Sequence, residues 1–84
     1  SSDTPDERKK AMEEEKETEK LKQQAQHLID DLRLNIVQDR LDELKKKLIA
    51  VSSDLEQMQS VKEEYLAMQE TRNALAKRLG VKIK

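Results

Sequence analysis

The chain carries two runs of apolar residues at alternating spacings of three and four, separated by the polar segment 52–54. The first run is Val37, Leu41, Leu44, Leu48 and Val51, and the second is Met58, Val61, Tyr65, Met68, Leu75 and Leu79. This spacing places each run along one face of an α-helix. Because so short a connection joins antiparallel neighbours, the two faces should pack together. The sequence therefore predicts an all-α protein, a long antiparallel hairpin of two helices with coiled-coil-like packing.

The turn also predicts which residues meet across the hairpin. The expected core pairs are Leu48 with Met58, Leu44 with Val61, Leu41 with Tyr65, and Val37 with Met68. We expect the two helices to cross at about 20°. Extending the register brings Leu28 toward Leu79. Arg72 interrupts the second apolar row, so its side chain should leave that row and reach a carboxylate at Asp30 or Asp31.

Local signals mark the ends of the second helix, which we predict at 55–79. Ser53 followed by Glu56 has the spacing of a capping box, in which side chains satisfy the first free amides of a helix. Gly80 directly follows the last apolar residue and is the residue type that adopts the left-handed conformation at a helix end. The remaining residues, 80–84, form a tail.

The first helix of the hairpin is predicted at 27–51, with an N-terminal extension before it. Thr4, Pro5 and Glu7 have the pattern of a capped helix start. Residues 1–26 are nearly all charged or amide, so they have helical propensity but little to pack with. We interpret them as a charged linker or a lone helix.

The apolar positions between 28 and 41 form an arc wider than one helix can cover. They are Leu28, Ile29, Leu32, Leu34, Ile36, Val37 and Leu41. Two helices alone would leave part of this arc exposed, so we expect a homodimer or a swapped arrangement of the isolated chain. The alternative is a break between Gln23 and Leu34, where the apolar phase slips.

Composition points to a binding function and argues against an enzyme. Tyr65 is the lone aromatic residue among 84, which leaves little to line a closed pocket. Seventeen basic and eighteen acidic residues are interspersed, which argues against direct nucleic-acid binding. The absence of Cys excludes disulfides and thiolate metal sites. The sequence contains no apolar run long enough for a membrane span, and no signal peptide.

Three clusters have possible chemistry, and none makes a convincing site. His27 with Asp30 and Asp31 has helical spacing for a metal, but a second half of the site is missing. The glutamates at 13–15 point in different directions around a helix and make a poor cation cage. The lysines at 45–47 lack aromatic residues for base stacking and are interpreted as a charged outer face. We therefore expect no cofactor and no catalytic residue.

The segment from Arg40 to Gly80 resembles the C-terminal end of bacterial replicative DNA primase. The matching positions are Tyr65, Met68, Gln69, Arg72, Asn73, Leu75, Ala76, Lys77, Leu79 and Gly80. This resemblance implies a long connecting helix followed by a terminal helical hairpin that docks on the N-terminal domains of the replicative DNA helicase. It also implies that the parent chain is a primase, a DNA-directed RNA polymerase, in the bacterial cytoplasm at the replication fork. Because the chain does not begin with Met, we expect a fragment of a larger protein. The resemblance implies that the zinc-binding and RNA-polymerising domains and a preceding helical bundle lie upstream of it.

On this resemblance, the partner would meet the end of the second helix and the tail. The expected partner-binding residues are Arg72, Lys77, Arg78, Val81, Lys82 and Ile83. Two of these would be apolar anchors, and the basic residues would form a rim suited to acidic partner residues. The alternative functions are a generic coiled-coil dimerisation or tethering module and, ranked after it, a nucleic-acid-binding helical arm.

Overall fold

The computed structural model describes residues 4–80, which form two helices, α1 (Pro5–Ala50) and α2 (Leu55–Leu79). The helices pack side by side and antiparallel, in a body with extents of 77 × 23 × 14 Å. The predicted all-α helical hairpin is confirmed. Since α1 has 46 residues and α2 has 25, the N-terminal part of α1 extends well beyond the end of its partner.

A capping box starts α1, as the sequence predicts. The Glu7 amide donates to Thr4 Oγ1 at 3.2 Å, and the Thr4 amide donates to Glu7 Oε2 at 3.3 Å. Pro5 occupies the first turn, where its missing amide would have had no helical partner. Two amides that the helix itself cannot satisfy are thereby paired.

No break interrupts α1 between Gln23 and Leu34, so the alternative of two shorter helices is wrong. The physical reason is that the apolar phase slip changes which face of the helix is apolar without removing any backbone hydrogen bond. After Pro5, α1 contains neither Gly nor Pro. The helix ends at Ala50, and the Val51 amide donates to the Lys47 carbonyl at 3.0 Å.

The residue that caps α2 is Asp54, so the predicted capping box of Ser53 with Glu56 is wrong. The Gln57 amide donates to Asp54 Oδ1 at 3.1 Å, and the Met58 amide donates to the Asp54 carbonyl at 2.9 Å. A carboxylate at this position interacts more favourably with the positive end of the helix than a hydroxyl does. Ser53 remains in the turn.

Gly80 ends α2 in the left-handed conformation, with φ 70°. Its amide donates to the Lys77 carbonyl at 3.2 Å. The predicted stop is confirmed, and the tail residues 81–84 lie outside the described range.

The core of the hairpin is one seam between the two helices. Leu41, Leu44 and Val61 are buried there, and Leu75 and Ala76 are buried nearer the open end. The other residues of the predicted core pairs are half-buried: Val37, Leu48, Met58, Tyr65 and Met68. A two-helix layer has solvent on both sides of its seam, so only its central side chains are fully enclosed. Burial of a Leu contributes roughly 1.5–3 kcal/mol, which makes the central leucines the main source of stability.

Neither helix of the described range has a stretch apolar enough, over enough residues, to cross a membrane.

Candidate protein-interaction surface

A row of exposed apolar side chains lies on α1, on the side facing away from α2. We call it the outer stripe, and it comprises Leu21, Ala25, Leu28, Ile29, Leu32 and Ile36. At about 100° of rotation per residue, its centre lies roughly 130° around α1 from the direction of Leu41 and Leu44. Because α2 is a single helix, it cannot reach this side.

Exposure of the outer stripe is high for apolar side chains. Leu28, Leu32 and Ile36 are 63–67% exposed, Leu21 is 59% exposed and Ile29 is 44% exposed. Together these five form an exposed apolar patch of a few hundred Å², the size of the largest patch on a typical monomer, which is often functional. The sequence pattern pointed to uncovered residues from Leu28 to Val37, but Leu34 and Val37 are half-buried because they lie nearer the α2 side of α1. Leu21 and Ala25 were missed, since they join the stripe only when α1 is unbroken.

A buried carboxylate closes the open end of the hairpin. Asp30 is 4% exposed. One guanidinium nitrogen of Arg78 lies 3.0 Å from its Oδ2, and Gln26 Nε2 donates to its Oδ1 at 3.1 Å. Arg33 lies 4.0 Å from the same Oδ1. These contacts satisfy a charge that would be costly to bury alone.

The expected contact of Arg72 with Asp30 or Asp31 is wrong, since Arg78 holds Asp30. Arg72 Nε instead donates to Asn73 Oδ1 at 3.4 Å. In the register that pairs Leu44 with Val61, positions 72 and 78 lie near positions 33 and 27 of α1, about one turn to either side of Asp30, so the register alone does not decide between them. Arg40 supports the same register by donating from Nε to Glu64 Oε1 at 3.1 Å across the hairpin.

Arg40 also ties neighbouring charges together on the outside of the seam. A second guanidinium nitrogen donates to the same Glu64 oxygen, and a third lies 3.3 Å from Glu43 Oε2. The hydrogen bonds to Glu64, followed by those to Glu43, raise the pKa of Arg40 above its ordinary value. The guanidinium therefore stays charged and bridges α1 to α2.

The residues expected to bind a partner at the end of α2 are only partly available. Arg78 is engaged with Asp30, Arg72 is half-buried, and Lys77 is exposed. The expected positions Val81, Lys82 and Ile83 lie outside the described residues.

The clusters considered for metal binding do not assemble into a site within residues 4–80. No three His, Asp or Glu side chains in this range gather as cation ligands. His27 lines a shallow groove of about 320 Å³ with Gln23, Gln26, Asp30 and Arg78. In that groove the Asp30 carboxylate is already neutralised by Arg78.

A family model described as a domain of unknown function, DUF8430, matches residues 4–83. No curated protein and no solved structure matches the chain. The family match spans the charged N-terminal part of α1 as well as the hairpin, so both parts lie within one family domain.

Proposed function

The chain belongs to the DUF8430 family of domains of unknown function, and from its surface we propose that it is a protein-interaction module. In this module the hairpin is the scaffold, and the outer stripe of α1 is the surface that a protein partner covers. The observation that carries the proposal is the high exposure of four large aliphatic side chains within nine residues, Leu28, Ile29, Leu32 and Ile36.

The hairpin makes this stripe a prepared binding surface. α2 packs along the opposite side of α1, and the ion pairs of Arg40 and Arg78 join the two helices. The stripe is therefore held in helical form before a partner arrives. Binding therefore does not have to fold the stripe, so it costs less free energy of ordering than binding to the same segment as an isolated peptide would.

We further propose a second contact, at the end of α2 rather than at the outer stripe, with the replicative DNA helicase, because of the resemblance to bacterial primase. The support is architectural, since a long helix leading into a terminal hairpin is what that resemblance implies. Lys77, exposed on the last turn of α2, would belong to the surface that meets the helicase N-terminal domain.

A dimerisation or tethering module is the second candidate function, and the outer stripe itself favours it. The stripe runs along one unbroken helix, on the side away from α2, which is the setting of a coiled-coil seam. Dimerisation and helicase docking need different surfaces, so both functions can belong to one chain.

Titration calorimetry with the purified N-terminal domain of the helicase tests the helicase proposal. We expect saturable binding that Lys77→Glu weakens at least tenfold, a change of about 1.4 kcal/mol. Absence of binding between the helicase domain and the unaltered chain would refute the helicase as partner.

The proposed use of the outer stripe is tested with a matched pair of variants. Ile36→Lys places a charge in the stripe, whereas Ile49→Lys makes the same change at a residue 76% exposed outside it. Because both side chains are exposed, neither change should unfold the hairpin. We expect Ile36→Lys alone to weaken protein association, measured by calorimetry and by sedimentation. If Ile36→Lys and Ile49→Lys change the dissociation constant of every measured association equally, the stripe is not a binding surface.

A further inference from the structure

We propose that the outer stripe binds the outer stripe of a second copy of this chain, with the two α1 helices antiparallel and residue i facing residue 57 − i. The inference rests on the proposed function, because it assigns a partner to the same surface. It adds the identity of that partner, the direction of pairing and the register.

The register follows from the spacing of the apolar residues in the stripe, which is symmetric about its centre. A two-fold axis between residues 28 and 29 sets Leu21 opposite Ile36, Ala25 opposite Leu32, and Leu28 opposite Ile29. Every apolar residue of the stripe then meets another apolar residue. A closed homodimer requires a self-complementary surface of this kind. Unbroken helix from Leu21 to Ile36 is what brings all six residues onto one line.

The apolar contact between the two stripes is short, and this limits the affinity of the dimer. Continuing the register sets Thr18 opposite Asp39 and Glu14 opposite Glu43, so the apolar contact stops after Leu21 and Ile36. The contact is therefore about 24 Å long, at about 1.5 Å of rise per residue. The exposed apolar patch of each copy amounts to a few hundred Å², below the roughly 800 Å² per partner of a standard interface. We expect a reversible dimer in the micromolar range.

Charge favours the antiparallel arrangement over the parallel one. Residues 5–20 contain seven acidic and five basic side chains, a net charge of −2, and residues 37–52 contain three acidic and four basic ones, a net charge of +1. The antiparallel register lays each negative segment along the positive segment of the other copy. A parallel pair in register would lay −2 against −2. Adjacent helices lie about 8–10 Å apart, near the Debye length of about 10 Å at 0.1 M salt. Residues 53–68, from the turn into α2, carry four acidic and one basic side chain, a net charge of −3. Because α2 lies on the side of α1 away from the stripe, its charges are farther from the second copy, and the preference rests on the facing α1 segments at salt near 0.1 M.

The same arrangement gives the N-terminal part of α1 a neighbour. α2 ends near the level of Gln26, and its Arg78 reaches the Asp30 carboxylate from there. In the antiparallel dimer, residues 5–25 would run beside residues 32–52 of the second copy. This half of the second copy's α1 carries its own α2 on another side.

Disulfide trapping tests direction and register, because the chain has no cysteine of its own. Leu21→Cys and Ile36→Cys variants are equilibrated in a glutathione buffer, each alone and as an equal mixture. Facing positions in the proposed register come close enough for a disulfide. Two copies of position 21 would instead be about 22 Å apart along the helix axis. We expect at least tenfold more covalent dimer in the mixture than in either variant alone. A variant that forms as much dimer alone as in the mixture would overturn the register.

Sedimentation equilibrium tests whether the second copy binds at all. The unaltered chain should show a concentration-dependent mass between 9.8 kDa and twice that value. Ile36→Lys should raise the dissociation constant at least tenfold, and Ile49→Lys should leave it unchanged. A constant mass of 9.8 kDa, with no covalent dimer in the cysteine mixture, would overturn the inference. The proposed function would survive that result if Ile36→Lys still abolished binding to a different protein.

Discussion

Removal of the Arg78 guanidinium should weaken the open end of the hairpin, because it leaves the Asp30 carboxylate buried without its closest cation. The Asp30 side chain is 6% exposed, and the Arg78 side chain is 54% exposed. Loss of one member of a buried ion pair costs about 3–5 kcal/mol, whereas an exposed pair contributes about 0.2–1 kcal/mol. In this pair the carboxylate is buried and the guanidinium is half exposed, so we expect an intermediate cost. Arg78→Met should lower the free energy of unfolding by about 1–2 kcal/mol.

Urea denaturation followed by the fluorescence of Tyr65 measures this loss, since that ring lies half-buried between the helices. Arg72→Met is the matched control, because Arg72 makes its side-chain hydrogen bonds to Asn73. It should cost less than about 0.5 kcal/mol. A double-mutant cycle of Arg78→Met with Asp30→Asn should give a coupling energy of about 1 kcal/mol. Equal losses in the two arginine variants, or a coupling near zero, would refute the reasoning.

Three further outcomes are expected from the fold. Leu44→Ala empties the most buried position and should cost about 2–5 kcal/mol, whereas Ile49→Ala at a 76% exposed position should cost little; urea denaturation compares them. Asp54→Ala should cost about 0.5–2 kcal/mol by removing the cap of α2, and Ser53→Ala should cost less. Thermal melts followed by circular dichroism compare the two variants, and a larger loss for Ser53→Ala would show that Ser53 is the cap. In Gly80→Ala the added Cβ has no atom within 4 Å, but it places a side chain at φ 70°. We therefore expect a loss of roughly 1 kcal/mol, and a melting temperature at or above that of the unaltered chain would contradict it.

The fold could be predicted because its signals are local and repeated. Thr4, Pro5 and Glu7 satisfy the start of α1 within one turn of chain. The two apolar runs have one period and are joined by a short turn, which leaves an antiparallel pair as the way for them to meet. Gly80 provides the stop of α2 by its freedom at positive φ.

The errors arose where two local patterns competed. Ser53 and Asp54 are both good cap residues, and the choice depends on where the turn returns the chain to helix, which is a three-dimensional matter. The contact of Asp30 shows the same limit. Arg72 and Arg78 are both long enough to reach a carboxylate, and a shift of a turn or two along α1 decides which of them does so.

The sequence by itself determined two helices, their ends near residues 4, 50 and 80, and the pairing of one apolar face with another. Spacing, caps and turn length act within a few residues, so they can be read without knowing what lies opposite. Only the tertiary structure decided that α1 continues unbroken through Gln23–Leu34 and that Arg78 closes on Asp30. It also decided that the outer stripe faces away from α2, because which side of a wide apolar arc stays exposed depends on where the one available partner helix packs.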